Sequence, residues 1–439
     1  MPARAGRESG ILPAMTLQLL PPLLRLAFPE PHRTFEFVPP TPAMPSAPDG
    51  PLHLYVHLPF CRRICAFCPY VKRVYDADTV TAYEQALLRE LERYRQSWDG
   101  FGVASVYFGG GTPSLTPEII ERVLSWLRSN GSPAGEVGVE VHPLDATETL
   151  LRRLHDCGVT MVSLGVQTFN ERMLAALDRG YDARTAEAAC RRALEERFET
   201  VDIDLIFALP GQTLGEAVHD IAAAAALGAG QISAYPLIHF SDTPLATLLK
   251  SQGVSLPTRR TEERMLAALV QQARSTGYER SSIWSFNRPG APRYTTVTRD
   301  SFLGIGAGAS SRLGDRFQVN TFSVGQYIEA TRSGIPAALS TRMNEGDRMA
   351  YWLFWRCYDT VVDTARFREV FGQDMPASVR ASLSALRALG LVRREGPAYQ
   401  LTDRGAYLFH LIEKEYTHSY LEKLWSACRR EAWPQRVSL

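Results

Sequence analysis

Apolar runs that alternate with amphipathic segments are the feature that most limits how this chain of 439 residues folds. Six runs have the length and the β-branched content of buried strands. They lie at residues 52–58, 103–108, 136–142, 159–165, 201–207 and 231–237. Segments with helical periodicity lie at 79–97, 116–129, 145–156, 183–196, 214–228 and 260–276. Alternation of this kind predicts right-handed β–α–β units and a parallel sheet.

Six such units are fewer than the eight that close a barrel. We therefore predict an α/β fold built on a partial (β/α)6 barrel of the TIM type, with a doubly wound sheet as the alternative. The predicted domains are an N-terminal extension with a Pro-rich linker over residues 1–51, this core over 52–330, and a helical C-terminal domain over 331–439.

The C-terminal domain contains a segment with the outline of a winged helix. Residues 377–408 have the pattern of a helix, two short strands around a Gly-Pro turn, and a second helix. DNA binding is the functional interpretation of that outline. The segment is not markedly basic, so we expect a structural or lid role.

Unusual residues follow each predicted strand. In α/β proteins the ligand site lies at the carboxyl ends of the strands, which form one rim. The residues that this rule gathers there are Cys61, Cys65 and Cys68, the stretch GGGTPS at 109–114, Glu140, His142, Gln167, Asp204 and Tyr235. The sequence therefore predicts a single site at the rim.

The three cysteines form a CxxxCxxC spacing. A structural zinc site needs four ligands, and His57 is the nearest candidate for the fourth. The alternation in HLYVHL (53–58) puts His57 on the polar face of a strand, which favours a residue at the edge of the site. Three thiolates can instead hold three irons of a [4Fe–4S] cluster and leave one iron open. The spacing favours a cluster over zinc and over plain thiols.

The overall composition bears on nucleic-acid binding and on the cellular compartment. Lys and Arg number 48 and Asp and Glu 47, which argues against a nucleic-acid protein held by phosphate contacts. The other four cysteines are scattered, which is typical of buried thiols in a reducing compartment, so we expect a cytoplasmic protein. The apolar segment 15–28 contains two prolines and an arginine, and we interpret it as a surface helix, not a signal or a membrane span.

Several longer blocks resemble a known family. They are YVHLPFC (55–61), YFGGGTPS (107–114), EVHP (140–143), SLGVQTFN (163–170), DLIFALPGQT (204–213) and FLGIGAGAS (302–310). Together they resemble the radical S-adenosylmethionine (SAM) superfamily, and within it the family of oxygen-independent coproporphyrinogen III dehydrogenase. The resemblance implies that the cysteines hold a [4Fe–4S] cluster whose open iron binds SAM. It also implies an electron donor such as flavodoxin or ferredoxin, and cleavage of SAM to methionine and a 5′-deoxyadenosyl radical.

The resemblance also implies which residues bind SAM. Tyr55, Gly110 and Glu140 match positions that bind this first SAM. Members of the family can hold a second SAM, at positions matched here by Phe67, Gly111, Thr112, Gln167, Arg179, Asp204 and Ile238. The forked guanidinium of Arg179 would suit a carboxylate, and the carboxylate of Asp204 would suit a cation or a hydroxyl group.

Departures from the family pattern bear on the reaction. The dehydrogenases carry a further cysteine just after the third cluster ligand, where this chain has Pro69 and Tyr70. The heme-chaperone branch has a histidine before its LGIG block, whereas this chain has none between His239 and His410.

The segments 282–311 and 320–328 resemble class C radical SAM methylases, cyclopropane-forming enzymes among them, and the anaerobic heme-opening methyltransferase. We therefore predict transfer of a methyl or methylene group from the second SAM to an sp² carbon. The alternatives are a coproporphyrinogen dehydrogenase-like oxidoreductase, the heme-degrading methyltransferase and a heme chaperone. The expected substrate is a small conjugated or aromatic molecule, without nucleic-acid or membrane partners.

Overall fold

The computed structural model describes residues 35–41, 44–48, 50–98, 102–132, 134–252, 255–295 and 298–439. The segment 15–28, interpreted above as a surface helix, lies outside the described residues. No helix within the described ranges is both long enough and apolar enough to span a membrane.

Strands and helices are labelled in chain order. The strands are β1 Glu36–Phe37, β2 Leu52–Leu58, β3 Phe60–Cys61, β4 Arg73–Val74, β5 Val103–Gly110, β6 Glu136–Val141, β7 Met161–Gln167, β8 Thr200–Phe207, β9 Gln231–Pro236, β10 Glu279–Arg280, β11 Ser285–Asn287, β12 Phe302–Ile305, β13 Ser310–Leu313, β14 Arg316–Asn320, β15 Ala337–Arg342, β16 Val361–Asp363, β17 Val392–Glu395, β18 Ala398–Leu401 and β19 Val437–Ser438. The helices are α1 Ala77–Ser97, α2 Pro117–Ser129, α3 Glu148–Asp156, α4 Glu171–Ala176, α5 Ala183–Glu195, α6 Leu214–Leu227, α7 Pro244–Gln252, α8 Arg259–Ser275, α9 Val324–Ala330, α10 Glu345–Tyr358, α11 Thr364–Phe371, α12 Ala377–Ala388, α13 Asp403–Tyr416 and α14 Glu422–Arg430.

Six parallel strands form the predicted partial barrel. Strands β2, β5, β6, β7, β8 and β9 are neighbours in that order, and every adjacent pair is parallel. Strand order follows chain order without the reversal that a doubly wound sheet requires. The predicted (β/α)6 architecture is therefore confirmed, and the doubly wound alternative is wrong.

The sheet extends beyond the six parallel strands on both sides. On one side β12 pairs in parallel with β2, and β13, β14 and β15 continue as an antiparallel meander. On the other side β11 and β10 pair antiparallel to β9. Apart from β15, these strands have only two to five residues, too few for periodicity to reveal. The last of them, β15, belongs to this sheet although it lies beyond residue 330, where the predicted C-terminal domain begins. The domain boundary at residue 330 stays a prediction.

The C-terminal region contains the predicted helix–hairpin–helix. Helix α12 leads into the β17–β18 hairpin and then into α13, and β16 completes a three-stranded antiparallel sheet. A π-helical turn, Thr417–Leu421, joins α13 to α14. Strand β19 pairs with β1, so the end of the chain meets the first described strand.

The parallel strands present different chemistry on their two faces. Alternate residues such as Val56, Phe108 and Val139 are completely buried among apolar neighbours. The intervening positions carry polar side chains that bond across adjacent strands; these bonds are His53–Ser105, Tyr107–Glu140, Ser163–Asp204 and Ser233–Asp202. Because side chains alternate along a strand, all of these polar groups face one side of the sheet.

A buried carboxylate fastens α1 to the far side of the sheet. Glu90 is fully buried and accepts hydrogen bonds from the Gly306 backbone N–H, the Tyr327 hydroxyl and the Asn320 amide. Burial raises the pKa of Glu90 to about 7, although the hydrogen bonds oppose the shift. The residue links α1 to the loop after β12, to β14 and to α9.

Replacing this carboxylate tests how much the link contributes to stability. We expect Glu90→Ala to lower the free energy of unfolding by roughly 2–4 kcal/mol, because buried donors lose their acceptor. Glu90→Gln keeps one acceptor oxygen and should cost less. The raised pKa means that the folded state holds the proton more tightly, so this carboxyl contributes less stability as the pH rises from about 4.5 to about 7.

The measurement is urea unfolding of each variant across that pH range. Glu90→Gln should have a flatter pH dependence than the unmodified chain. Glu92→Gln, on the same helix and paired with Arg95 at the surface, is the matched control and should change stability little. An equal loss for both positions would contradict the role assigned to Glu90.

Candidate functional site

The cysteine loop begins at the carboxyl end of β2. Cys61 ends β3, and Cys65 and Cys68 lie in the loop that leads to β4. The loop is closed by the parallel β3–β4 pair and by the Lys72 ammonium, which donates to the Cys68 carbonyl oxygen. All three thiols are free.

These thiols lie close enough to influence one another, as a shared cluster requires. The pKa of Cys61 is raised to about 11, mainly by burial and to a smaller extent by the charges of Cys68 and Cys65. Nowhere in the described part of the chain do three His, Cys, Asp or Glu side chains converge on the position of one metal ion. The thiolates of a [4Fe–4S] cluster bind three different irons, so separate thiols on one loop fit a cluster.

The stretch GGGTPS at 109–114, called the glycine loop from here on, packs against the start of the cysteine loop. The Gly111 N–H donates to the Leu58 carbonyl oxygen at 2.8 Å, and a Cβ on Gly111 would meet the backbone of Pro59 and Phe60 at 2.8–2.9 Å. Gly110 has a φ of 122°, and a Cβ there would lie 2.7 Å from the His57 ring. Only glycine fits at either position. At Gly110 the close neighbour is the His57 ring.

His57 is held by two hydrogen bonds. Its Nε2 lies 2.8 Å from the Val71 carbonyl oxygen, which can only accept, so Nε2 carries the proton. Its Nδ1 then accepts from the Tyr55 hydroxyl at 3.0 Å. Both ring nitrogens are occupied, so the structure favours the edge position over the role of a fourth metal ligand.

The residues predicted to bind the first SAM meet beside this loop. Glu140 accepts from the Gly110 N–H at 3.1 Å and from the Tyr107 hydroxyl at 2.8 Å. Tyr55 stacks on Tyr107, with ring centroids 6.0 Å apart. Burial raises the pKa of Glu140 to about 7, opposed by the Gly110 hydrogen bond. Both donors to this carboxylate are neutral, so its charge has no cationic hydrogen-bond partner among the described residues.

Arg179 joins the cysteine loop to the end of β7. Its Nη1 donates to the Cys65 sulfur at 3.2 Å, its Nη2 to the Gly165 carbonyl oxygen at 2.6 Å, and its Nε to the Tyr181 hydroxyl at 3.0 Å. The side chain is buried. The arginine is therefore at the rim as predicted, but a carboxylate that used its fork would have to replace bonds that already exist.

Gln167 and Asp204 lie on neighbouring strands of the same rim. Gln167 ends β7 with a φ of 71°, a left-handed conformation uncommon outside glycine, and the β7–β8 register shifts there. Asp204 accepts a hydrogen bond from Ser163, and burial raises its pKa well above the usual range, with Asp202 adding to the rise. Strained backbone and buried acids of this kind concentrate at functional sites.

The remaining predicted residues make mainly apolar or loop contacts. Phe67 packs against a cluster that includes Ile206 and Leu237, and Ile238 packs against the main core. The Thr112 hydroxyl forms a hydrogen bond that lowers the pKa of Cys61.

The sequence did not indicate that the C-terminal helices reach the cysteine loop. On α14, Arg429 donates to the Pro69 carbonyl oxygen at 2.6 Å and Trp425 packs on Tyr70, with centroids 5.8 Å apart. On α13, His410 stacks on Phe207 at the end of β8, at 6.4 Å. Helical periodicity predicts such helices but carries no signal for what they dock against. Through these contacts, α13 and α14 border the rim.

Comparison with known proteins gives a consistent assignment. The model of the radical SAM superfamily matches residues 55–224. The heme chaperone HemW of Bacillus subtilis is 28% identical over 363 residues, which cover 81% of this chain and 96% of that protein. HemW of Lactococcus lactis is 30% identical over 301 residues, covering 67% and 77%. The oxygen-independent coproporphyrinogen III oxidase of Escherichia coli is 30% identical over 304 residues, covering 64% and 66%.

The solved structure of coproporphyrinogen III oxidase (HemN) from Escherichia coli has the same fold. It superposes with a TM-score of 0.69 at 24% identity, over 85% of this chain and 91% of that chain. Similarity to the class C methylases is distant by comparison. The chain therefore belongs to the radical SAM superfamily, in the family that contains the HemN-type coproporphyrinogen III oxidases and the HemW heme chaperones.

Proposed function

We propose that Cys61, Cys65 and Cys68 hold the [4Fe–4S] cluster that membership of this superfamily implies, and that SAM binds beside it against Tyr55, Gly110 and Glu140. When bound, the reduced cluster supplies the electron that splits SAM into methionine and a 5′-deoxyadenosyl radical, which takes hydrogen from a substrate. The observation that carries the proposal is the meeting of the cysteine loop, the glycine loop and Glu140 at one point of the rim.

Glu140 offers a negative charge to a cationic ligand at this point of the rim. A buried carboxylate without a cationic partner is costly, and a positively charged amino group would compensate it. The glycine loop fixes the backbone N–H that keeps Glu140 in place. Arg179 donates to Cys65 and would stabilise the thiolate form that binds iron.

For the substrate we propose a small conjugated molecule of the tetrapyrrole class. The named relatives are coproporphyrinogen oxidases and heme chaperones, so they favour an oxidase-type or heme-related role over methyl transfer. The reaction proposed first is therefore removal of hydrogen from the substrate by the adenosyl radical.

Methyl transfer remains a second candidate because of three residues. These are Gln167, Arg179 and Asp204, which were predicted to contact a second SAM. Asp204 pairs with Gly165, two residues before Gln167, and Arg179 donates to the Gly165 carbonyl oxygen and to Cys65. A second SAM would have to displace the present partners of Arg179. Pro69 and Tyr70, in place of the further cysteine of the oxidases, also leave this candidate open.

Removal of single cysteines tests the cluster assignment. We expect Cys61→Ala, Cys65→Ala and Cys68→Ala each to reduce the iron of anaerobically reconstituted protein from about four atoms per chain to below about one, since each thiolate holds a separate iron. Iron and sulfide analysis measures this directly. Cys157→Ala, at a cysteine directly after α3, is the matched control and should keep its iron. Full iron content in the three loop variants would refute the assignment.

Replacing Glu140 by Gln tests the SAM site. The amide keeps the shape but not the charge, so we expect the Kd for SAM to rise about tenfold, which corresponds to about 1.4 kcal/mol. Because the pKa of Glu140 is about 7, the affinity of the unmodified protein should increase as the pH rises through 7, whereas the variant should show little change. Calorimetric titration from pH 6 to 8 gives both results. Glu136→Gln, at the opposite end of β6 and paired with Arg299, is the control; an equal loss there would exclude a specific role for Glu140.

Isotope transfer distinguishes the candidate reactions. With SAM carrying a CD₃ group, methyl transfer through a second SAM places deuterium in 5′-deoxyadenosine, whereas direct hydrogen removal from a tetrapyrrole leaves it unlabelled. We expect 5′-deoxyadenosine to form under dithionite without deuterium. Tight heme binding with no release of 5′-deoxyadenosine would instead establish the chaperone role and contradict the enzymatic proposal.

A further inference from the structure

A cavity separate from the rim lies between the outer edge of the barrel sheet and the C-terminal region. Its volume is about 530 Å³, within the range of small-molecule sites. We call it the arginine pocket. Its lining residues are Arg280, Ser281, Arg293, Arg356, Asp359, Thr360, Val361, Asp363, Arg366 and Gln400.

Arg280 is a buried cation with too few acceptors. Its side chain is 9% exposed, and its one ion pair among the described residues is with Asp403, at 3.4 Å. That carboxylate is already held by both Nη atoms of Arg274, at 2.7 and 2.8 Å. The buried Nε of Arg280 has no hydrogen-bond partner. Burial lowers the pKa of Arg280 to about 10, as expected for a cation that is poorly compensated.

Two further arginines have a free buried N–H at the same place. The Nε atoms of Arg293 and Arg356 are buried without partners, although their terminal nitrogens pair with Asp359. Each of the four lining arginines forms an ion pair: Arg280 with Asp403, Arg293 and Arg356 with Asp359, and Arg366 with Asp300. The pocket therefore has three guanidinium N–H groups that no acceptor among the described residues uses.

The backbone at the pocket is strained. Thr360 has a φ of 64°, a conformation that a β-branched residue rarely adopts. Its hydroxyl accepts from the Gln400 amide at 3.0 Å, and its carbonyl oxygen accepts from the Leu401 N–H at 2.8 Å. These bonds fix the strained turn between α10 and β16 in the pocket wall, and strain of this kind is concentrated at ligand sites.

We propose that the arginine pocket binds a small oxyanion ligand, a molecule that carries a phosphate or carboxylate group. Guanidinium groups match the geometry of both anions, and such an anion would accept hydrogen bonds from the unpaired N–H groups. The site lies where β10 at the edge of the barrel sheet meets β16 of the C-terminal region. A bound anion would therefore join these two parts of the chain.

Thermal unfolding of the full chain with added anions tests this. Inorganic phosphate and citrate are compared with sodium chloride at equal ionic strength, which separates binding from screening. We expect at least one of the two to raise Tm with saturation, and which one does so identifies the phosphate or the carboxylate class. If neither exceeds chloride, the proposal is wrong.

The variant Arg280→Gln provides a second test of the proposal. Without ligand, this variant should melt at the same temperature as the unmodified chain or higher, because it removes a poorly compensated buried cation. The anion-dependent rise in Tm should disappear. A merely structural role predicts a lower Tm with the anion response intact, which would overturn the proposal. Arg366→Gln, half exposed at the pocket, should weaken the response severalfold if Arg280→Gln does not fold. Arg152→Gln, exposed on α3, should leave it unchanged.

Discussion

The rest of the site depends on the contact between the glycine loop and the end of β2. Side chains cannot be accommodated at three consecutive positions: a Cβ would meet Glu140 at Gly109, the His57 ring at Gly110, and the backbone of Pro59 and Phe60 at Gly111. This close approach places the loop after β5 directly against the residues that lead into Cys61. It also presents the Gly110 N–H to Glu140. The position of the cysteines and that of the acid are thus fixed by one packing constraint.

A second property of the fold gives the site its polarity. Each parallel strand buries apolar residues toward the helices and presents polar residues to its other face, where they bond across strands. Burial raises the pKa values of Glu140 and Asp204, and a cationic group beside either acid would favour its charged form. The C-terminal helices complete the rim through Arg429 and Trp425.

Much of the barrel could be predicted because parallel strands bring their carboxyl ends together. The expectation that Cys61, Glu140, Gln167 and Asp204 lie in or after the later halves of strands was enough to gather them at one rim. The bounds of the parallel strands and their helices lie within three residues of prediction. The partners of Arg179 could not be predicted, since they depend on where a distant loop folds back. The docking of α14 on Tyr70 is likewise a tertiary contact without a local pattern. The close approach of Gly110 to the His57 ring is a tertiary contact of the same kind.

The central claim is that SAM binds to the open iron of a cluster held by the cysteine loop, and electron paramagnetic resonance tests it most directly. The reduced, reconstituted protein is measured before and after SAM is added. Coordination of SAM to one iron predicts a change in the g values of the cluster signal, and a smaller change in Glu140→Gln at the same SAM concentration. A cluster signal that SAM leaves unaltered in the unmodified protein would contradict the account.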